Sequence, residues 1–147
     1  MPKANSKGSP FERDTARALS LWWSQGIGQK PPRDDLLWRT SQSGGRATTR
    51  RQKGQTGNLH CGDLCAIDPI AKPLTDLVTL ECKRGYTAFT AADLLDRPAH
   101  FKPQCYERWF AKAEEDAKAA GSVSWLLVTR RDRRLPVVFF PRVLWVD

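Results

Sequence analysis

Apolar positions along the chain fall into blocks with two different spacings, and these mark the elements. Over residues 9–25 they recur at helical spacing: Phe11, Thr15, Ala18 and Trp22 form one stripe, widened by Leu19 and Trp23. Ser9 supplies a cap, Pro10 suits the first helical position, and Glu12 completes a capping box; Gly26 and Gly28 mark the end. Arg13 and Arg17 point away from the stripe. Residues 36–40 predict a first strand. Residues 59–67 (LHCGDLCAI) alternate and predict a second, with Asp63 at its middle and Cys61, Asp63 and Cys65 in one row. Residues 68–75 read as a turn region, and 77–83 (LVTLECK) as a third strand that closes a hairpin. Residues 84–100 are irregular apart from a short helix at 91–95. A second long helix is predicted over 101–120. Its stripe is Phe101, Cys105, Trp109 and Ala113, with Tyr106 and Phe110 beside it. Residues 124–129 and 137–140 predict two final strands. The order is helix, three strands, helix, two strands, which predicts an α/β fold: a mixed sheet with helices packed on it.

Length and charge narrow the picture. The 147 residues suit one domain over 9–147, preceded by a mobile basic tail over 1–8. Lys and Arg number 24 against 16 Asp and Glu, a net charge of +8 that favours polyanionic partners. The excess is concentrated. From residue 36 to 62 there are five basic residues (Arg39, Arg46, Arg50, Arg51 and Lys53) and no acid, and residues 41–58 are rich in Gly, Ser and Thr. This segment reads as a mobile basic loop suited to phosphate contact. Arg130, Arg131, Arg133 and Arg134 read as a solvated turn between the last two strands. No apolar run resembles a signal core or a membrane span, so a cytoplasmic, reducing setting is expected, with no membrane partner. The four cysteines then read as thiols on small buried side chains rather than as zinc ligands, and the six tryptophans mostly as core.

The hairpin carries the chemistry. Glu81 and Lys83 are two apart on one strand and share a face, with Asp63 on the neighbouring strand. Two carboxylates side by side offer oxygen ligands to Mg²⁺ or Mn²⁺, and the Cys82 carbonyl between Glu81 and Lys83 could add a third. A lysine beside them could orient water and offset phosphate charge. An exposed hairpin with an ordinary salt bridge accounts for the spacing equally well. Asp68 and Asp76 are weaker candidates, since acids are common turn formers.

An Asp followed by a strand ending Glu-x-Lys resembles the signature of the PD-(D/E)XK nuclease superfamily, with Gly62-Asp63 standing where that family often has Pro-Asp. The wider layout resembles the archaeal and phage Holliday-junction resolvases of this superfamily. Gly8-Ser9-Pro10-Phe11-Glu12-Arg13 stands for their first helix, and Ser41-Gln42-Ser43-Gly44-Gly45-Arg46 for their Ser/Gly/basic loop. A helix opening near Gln104 and a final apolar strand pair follow. The resemblance spans roughly residues 7–141. It implies a restriction-endonuclease-like mixed central sheet flanked by helices, and a metal-dependent DNA endonuclease acting on branched DNA as a homodimer. It places Glu12, Asp63 and Glu81 at Mg²⁺, with Mn²⁺ as a substitute and no other small-molecule cofactor. Lys83 becomes the catalytic lysine, Ser43 or Ser41 contacts the scissile phosphate or its neighbour, and Gln104 lies at the edge of the site. Arg13, Arg46, Arg50, Arg51, Lys53 and Arg84 would contact DNA. One rival keeps the chemistry as a nicking, restriction-like or single-strand nuclease. The other is a non-catalytic basic DNA-binding module, against which the intact Asp63, Glu81 and Lys83 speak.

Overall fold

The computed structural model describes residues 8–40, 62–85, 90–96 and 105–142. Helix α1 spans Gly8–Gly26, followed by strands β1 (Leu37–Arg39) and β2 (Leu64–Ala66). A single 3₁₀ turn, Pro69–Ala71, runs into a short helix α2, Lys72–Leu77, and on into β3, Val78–Arg84. After another 3₁₀ turn at Ala91–Leu94 come helix α3 (Cys105–Ala120), β4 (Ser124–Arg130) and β5 (Val137–Phe139). The five strands lie in sequence order in one sheet. Neighbours are antiparallel except β3 and β4, which run parallel and are joined through α3. This is the predicted α/β sheet with flanking helices, the arrangement of the restriction-endonuclease-like fold.

The period-two alternation of β3 decides what lies on each side of the sheet. Val78, Leu80 and Cys82 turn one way and join Phe11 and Ala16 of α1, Leu37, Leu64, Ala71, Leu74 and Val128 in the larger core. Burying a leucine such as Leu80, 1% exposed, contributes about 2–3 kcal/mol. On the other side α3 packs Ala113 and Ala117 over Trp125 and Leu127. Aromatic contacts extend this second core: Phe110 stacks on Trp125 at 5.5 Å, and Tyr106 meets Trp109 edge-on at 5.2 Å. Thr79, Glu81 and Lys83 point to this α3 side.

Several local expectations are corrected. The buried stripe of α1 is Phe11, Thr15, Ala16, Ser20 and Ser24 with Leu19 and Trp23 partly covered, whereas Ala18 and Trp22 face solvent. The serines are inside because they bind main chain. Ser20 Oγ accepts from Leu37 N at 3.0 Å, and Ser24 Oγ accepts from Arg33 N at 2.9 Å. They staple the helix to the segment leading into β1. The helix starts at Gly8, which puts Ser9 inside the first turn rather than at the cap, and the Glu12 carboxylate is taken by Arg39 Nε at 2.8 Å instead of closing a capping box. β2 is shorter than predicted among the described residues, so Asp63 precedes the strand rather than sitting at its middle. The expected turn at 68–75 is instead helical. Asp68 caps the 3₁₀ turn by accepting from Ile70 N at 2.9 Å, with Pro69 and Pro73 early in their helical turns. Trp38 is also partly exposed, on the sheet's edge strand, rather than in the core. No helix among the described residues is long and apolar enough to cross a membrane.

Candidate active site

Asp63 is positioned by main chain on both sides. Its N–H donates to Leu80 O at 2.8 Å, and its carbonyl accepts from Thr40 N at 2.9 Å. Gly62 before it has φ +104, and a Cβ there would lie 2.9 Å from Leu80 O and from Thr79 Cγ2. Only glycine fits so close to the neighbouring strand in that conformation. Proline, fixed near φ −65°, could not, which explains Gly-Asp where Pro-Asp is the commoner pair. The strand ladder between β2 and β3 stops at Leu64↔Leu80. Further along β3 the N–H of Cys82 therefore needs another acceptor. Asp63 Oδ2 supplies it at 2.9 Å, which draws the carboxylate across to β3.

Glu81 and Lys83 meet it there. Lys83 Nζ lies 3.2 Å from Glu81 Oε2 and 3.7 Å from Asp63 Oδ2. Asp63 is 8% exposed and Glu81 5%, so two nearly dry carboxylates meet one partly buried ammonium. Burial first, and then the Asp63 charge, push the Glu81 carboxyl up to about 7; the Lys83 charge and hydrogen bond pull the other way. Burial and the Asp63 charge together thus outweigh what Lys83 gives back. Glu81 also feels Asp116 of α3, a buried acid whose Oδ2 accepts from Lys112 Nζ at 2.7 Å. Burial works against the Lys112 ammonium, yet the bond to Asp116, the Asp116 charge and after them the Glu81 charge raise its pKa. α3 therefore brings a second acid–base pair towards the site. The sequence reading missed it, although Asp116 falls three residues after Ala113 on the apolar stripe, where an acid is out of place.

The other expected residues are placed less closely. Glu12 lies on the α1 side of the sheet, paired with Arg39, and does not join Asp63 and Glu81 in a three-acid cluster; no group of three or more His, Cys, Asp or Glu side chains suited to a metal occurs among the described residues. Its charge, with those of Asp63 and Glu81, still reaches the Cys82 thiol, which faces Thr15 of α1 and whose pKa is driven far upward, chiefly by burial. That thiol is on the wrong face to serve Glu81; only the Cys82 main chain belongs to the site. Arg13 sits half-buried on α1. Arg84 Nε lies 3.7 Å from Asp132 Oδ1 in the turn after β4. Ser41, Ser43, Arg46, Arg50, Arg51, Lys53 and Gln104 lie outside the described residues, as do Cys61 and Phe101. Cys65, Cys82 and Cys105 are free thiols.

The donor set fits a hard divalent cation. It offers the Asp63 and Glu81 carboxylate oxygens, both held by the Lys83 ammonium, and the main-chain carbonyl of Cys82 between Glu81 and Lys83. Two carboxylates leave most of an octahedral shell to water and phosphate oxygens, which is how Mg²⁺ is usually held.

No curated protein and no solved structure matches the chain. A family model does, over residues 3–144, and it covers both helical layers and every strand described above. The chain belongs to the family described as phage putative PDDEXK endonuclease.

Proposed function

We propose that the protein is a metal-dependent endonuclease that hydrolyses phosphodiester bonds of DNA at Asp63, Glu81 and Lys83. One observation carries this reading: two buried carboxylates held against one ammonium, with Glu81 pushed up to about 7 by burial and by Asp63. Asp63 and Glu81 would hold Mg²⁺, or Mn²⁺ in its place, with the Cys82 carbonyl as a further donor. A bound divalent ion supplies Lewis acidity at the scissile phosphodiester and makes water a stronger nucleophile at neutral pH. Lys83, fixed between the carboxylates, orients that water and offsets charge building on the phosphate. Burial of the centre keeps these charges effective by limiting competing solvent. Glu12 adds negative charge from the α1 side, and Gln104 and Ser43 or Ser41 complete the contacts around the phosphate. Arg13, Ser41, Arg46, Arg50, Arg51, Lys53 and Arg84 contact the DNA backbone.

The isosteric variants Asp63→Asn and Glu81→Gln test the centre. Each should lower Mg²⁺-dependent cleavage by at least about 10³-fold. Each also removes one of two repelling carboxylates, so thermal stability should hold or rise. Cleavage persisting in both variants would remove the assignment.

The order of elements supports a finer reading: four-way junctions as substrate and a symmetric homodimer whose two centres nick opposing strands, in recombination or phage DNA processing. Competition between a four-way junction and linear duplex of equal length decides this. Preferential binding and cutting of the junction is expected; equal treatment of both returns the protein to a nicking or restriction-like nuclease.

A further inference from the structure

The arginine-rich turn between β4 and β5 has no part in the chemistry above, and its place in the fold is informative. β3 and β4 run parallel with Lys83 opposite Thr129 and Arg84 opposite Arg130. The turn therefore leaves the sheet at the same end, one residue past the row that holds Lys83. Gly85 N donates to Arg130 O at 3.2 Å, so the two strand ends stay together. Alternation along β4 puts Leu127 and Thr129 on the α3 side with Glu81 and Lys83. Arg131 continues that side and acts on the phenol of Tyr106, which itself bonds to Thr129. At about 3.3 Å per residue, Arg131 stands roughly 7 Å beyond the Lys83 row, the scale of two phosphates along one DNA strand at about 3.4 Å of axis each.

The turn is held by two hydrogen bonds that use the Arg134 main chain. Arg134 N donates to Arg131 O at 3.1 Å, and Arg130 Nε donates to Arg134 O at 3.1 Å. Asp132 lies 3.7 Å from Arg84 Nε and ties the turn to the end of β3. Four arginines stand against this one acid. Arg133 has φ 59, a left-handed conformation in which glycine or asparagine would be less strained. Its side chain and that of Arg134 are exposed. A turn shaped for glycine thus presents an arginine, at the end of the sheet where the carboxylates sit.

We infer that the β4–β5 turn is a DNA-backbone clamp, in which Arg133 and Arg134, with Arg131 behind them, contact phosphates flanking the scissile one. This rests on the nuclease reading for its location but makes a separate claim about binding. Open α/β sheets commonly bind ligands beyond the carboxyl ends of parallel strands, and this turn and Lys83 share that end. Phosphate contact by arginine gives affinity and register without sequence readout.

The test measures binding of a short linear duplex to the full chain in EDTA, across a series of salt concentrations, for Arg133→Gly, Arg134→Ala and the double variant. Arg133→Gly relieves the left-handed strain and should melt no lower than the unsubstituted protein. Arg134→Ala leaves both turn hydrogen bonds, since these use the Arg134 main chain. Each is expected to weaken binding roughly five- to tenfold at low salt and to lower the slope of log affinity against log salt by about 0.9, with about twice that in the double variant. Arg17→Ala, which removes the same charge from the exposed face of α1, should leave the slope unchanged. Unaltered affinity and slope in the double variant would overturn the inference, as would an equal loss in Arg17→Ala. Cleavage by the unsubstituted chain in Mg²⁺ is scored separately. Its absence would count against the nuclease reading, while the salt slopes would still decide the turn.

Discussion

The two faces of β3 have opposite characters although their residues alternate along seven positions. Towards α1, Val78, Leu80 and Cys82 are packed in apolar contact. Towards α3, Glu81 and Lys83 share their side with Asp63 and lie near the Lys112–Asp116 pair. Both faces are buried, so burial does not separate structure from function here. What separates them is whether the buried groups are satisfied. The apolar face gains free energy from exclusion of water. The charged face holds two carboxylates against the Lys83 ammonium, a cost that a bound cation would relieve.

Truncation on the dry face should have the largest effect on stability. Leu80→Ala removes most of a side chain that is 1% exposed and leaves a cavity between α1 and the sheet, costing about 3–5 kcal/mol. Cleavage per folded molecule should stay close to normal at low temperature. Glu81→Gln, one position along the same strand, should do the reverse: little or positive change in melting temperature, with cleavage lost. Denaturant unfolding and a cleavage assay on the same preparations separate the two. A Glu81→Gln protein as destabilised as Leu80→Ala would mean that the acid serves the fold and not the site.

Gly62 lies where the two faces meet. Gly62→Ala would force a Cβ to 2.9 Å from Leu80 O, a main-chain atom that cannot swing aside, at a φ of +104. A loss of about 2–3 kcal/mol is expected. Cleavage should fall as well, because the shift moves Asp63 from its bond to Cys82 N. A variant that loses stability but keeps full activity would show that the placement of Asp63 does not depend on this turn.

The long periodic blocks were legible. β3, β4 and the body of α3 stand within a few residues of where alternation and helical spacing put them. The shared face of Glu81 and Lys83 followed from strand parity alone. The buried side of α1 was not legible, because Ser20 and Ser24 look like surface residues until their main-chain partners, Leu37 and Arg33, are known. The helical turns at 69–77 hid behind two prolines and an aspartate that also suit a loop. Lys112 and Asp116 were passed over for a related reason: α3 carries many charges, and spacing alone does not say which of them reaches the sheet. The position of Glu12 on the α1 side could not be read either, since a helix's sequence does not tell which sheet face it covers.

The smallest of the expected effects bears most directly on the charged face. Glu81 titrates near 7 in the folded protein, against an ordinary value of 4.5. Between those values the folded state keeps a proton that the unfolded chain has released. Stability attributable to Glu81 is therefore fully present below about pH 4.5, declines as pH rises towards 7, and is gone above it. Without divalent metal, the decline should be on the order of 2 kcal/mol between pH 5 and pH 8, set against Leu80→Ala, which shows no such dependence of its own. A cation bound by Asp63 and Glu81 needs the deprotonated carboxylate, so it competes with that proton. Added Mg²⁺ should then raise the melting temperature more at pH 8 than at pH 5.5. In Glu81→Gln both the decline and the Mg²⁺ effect should largely vanish. If the variant keeps the same pH slope, the proton belongs to another group, and the contrast between the two faces of β3 loses its electrostatic basis.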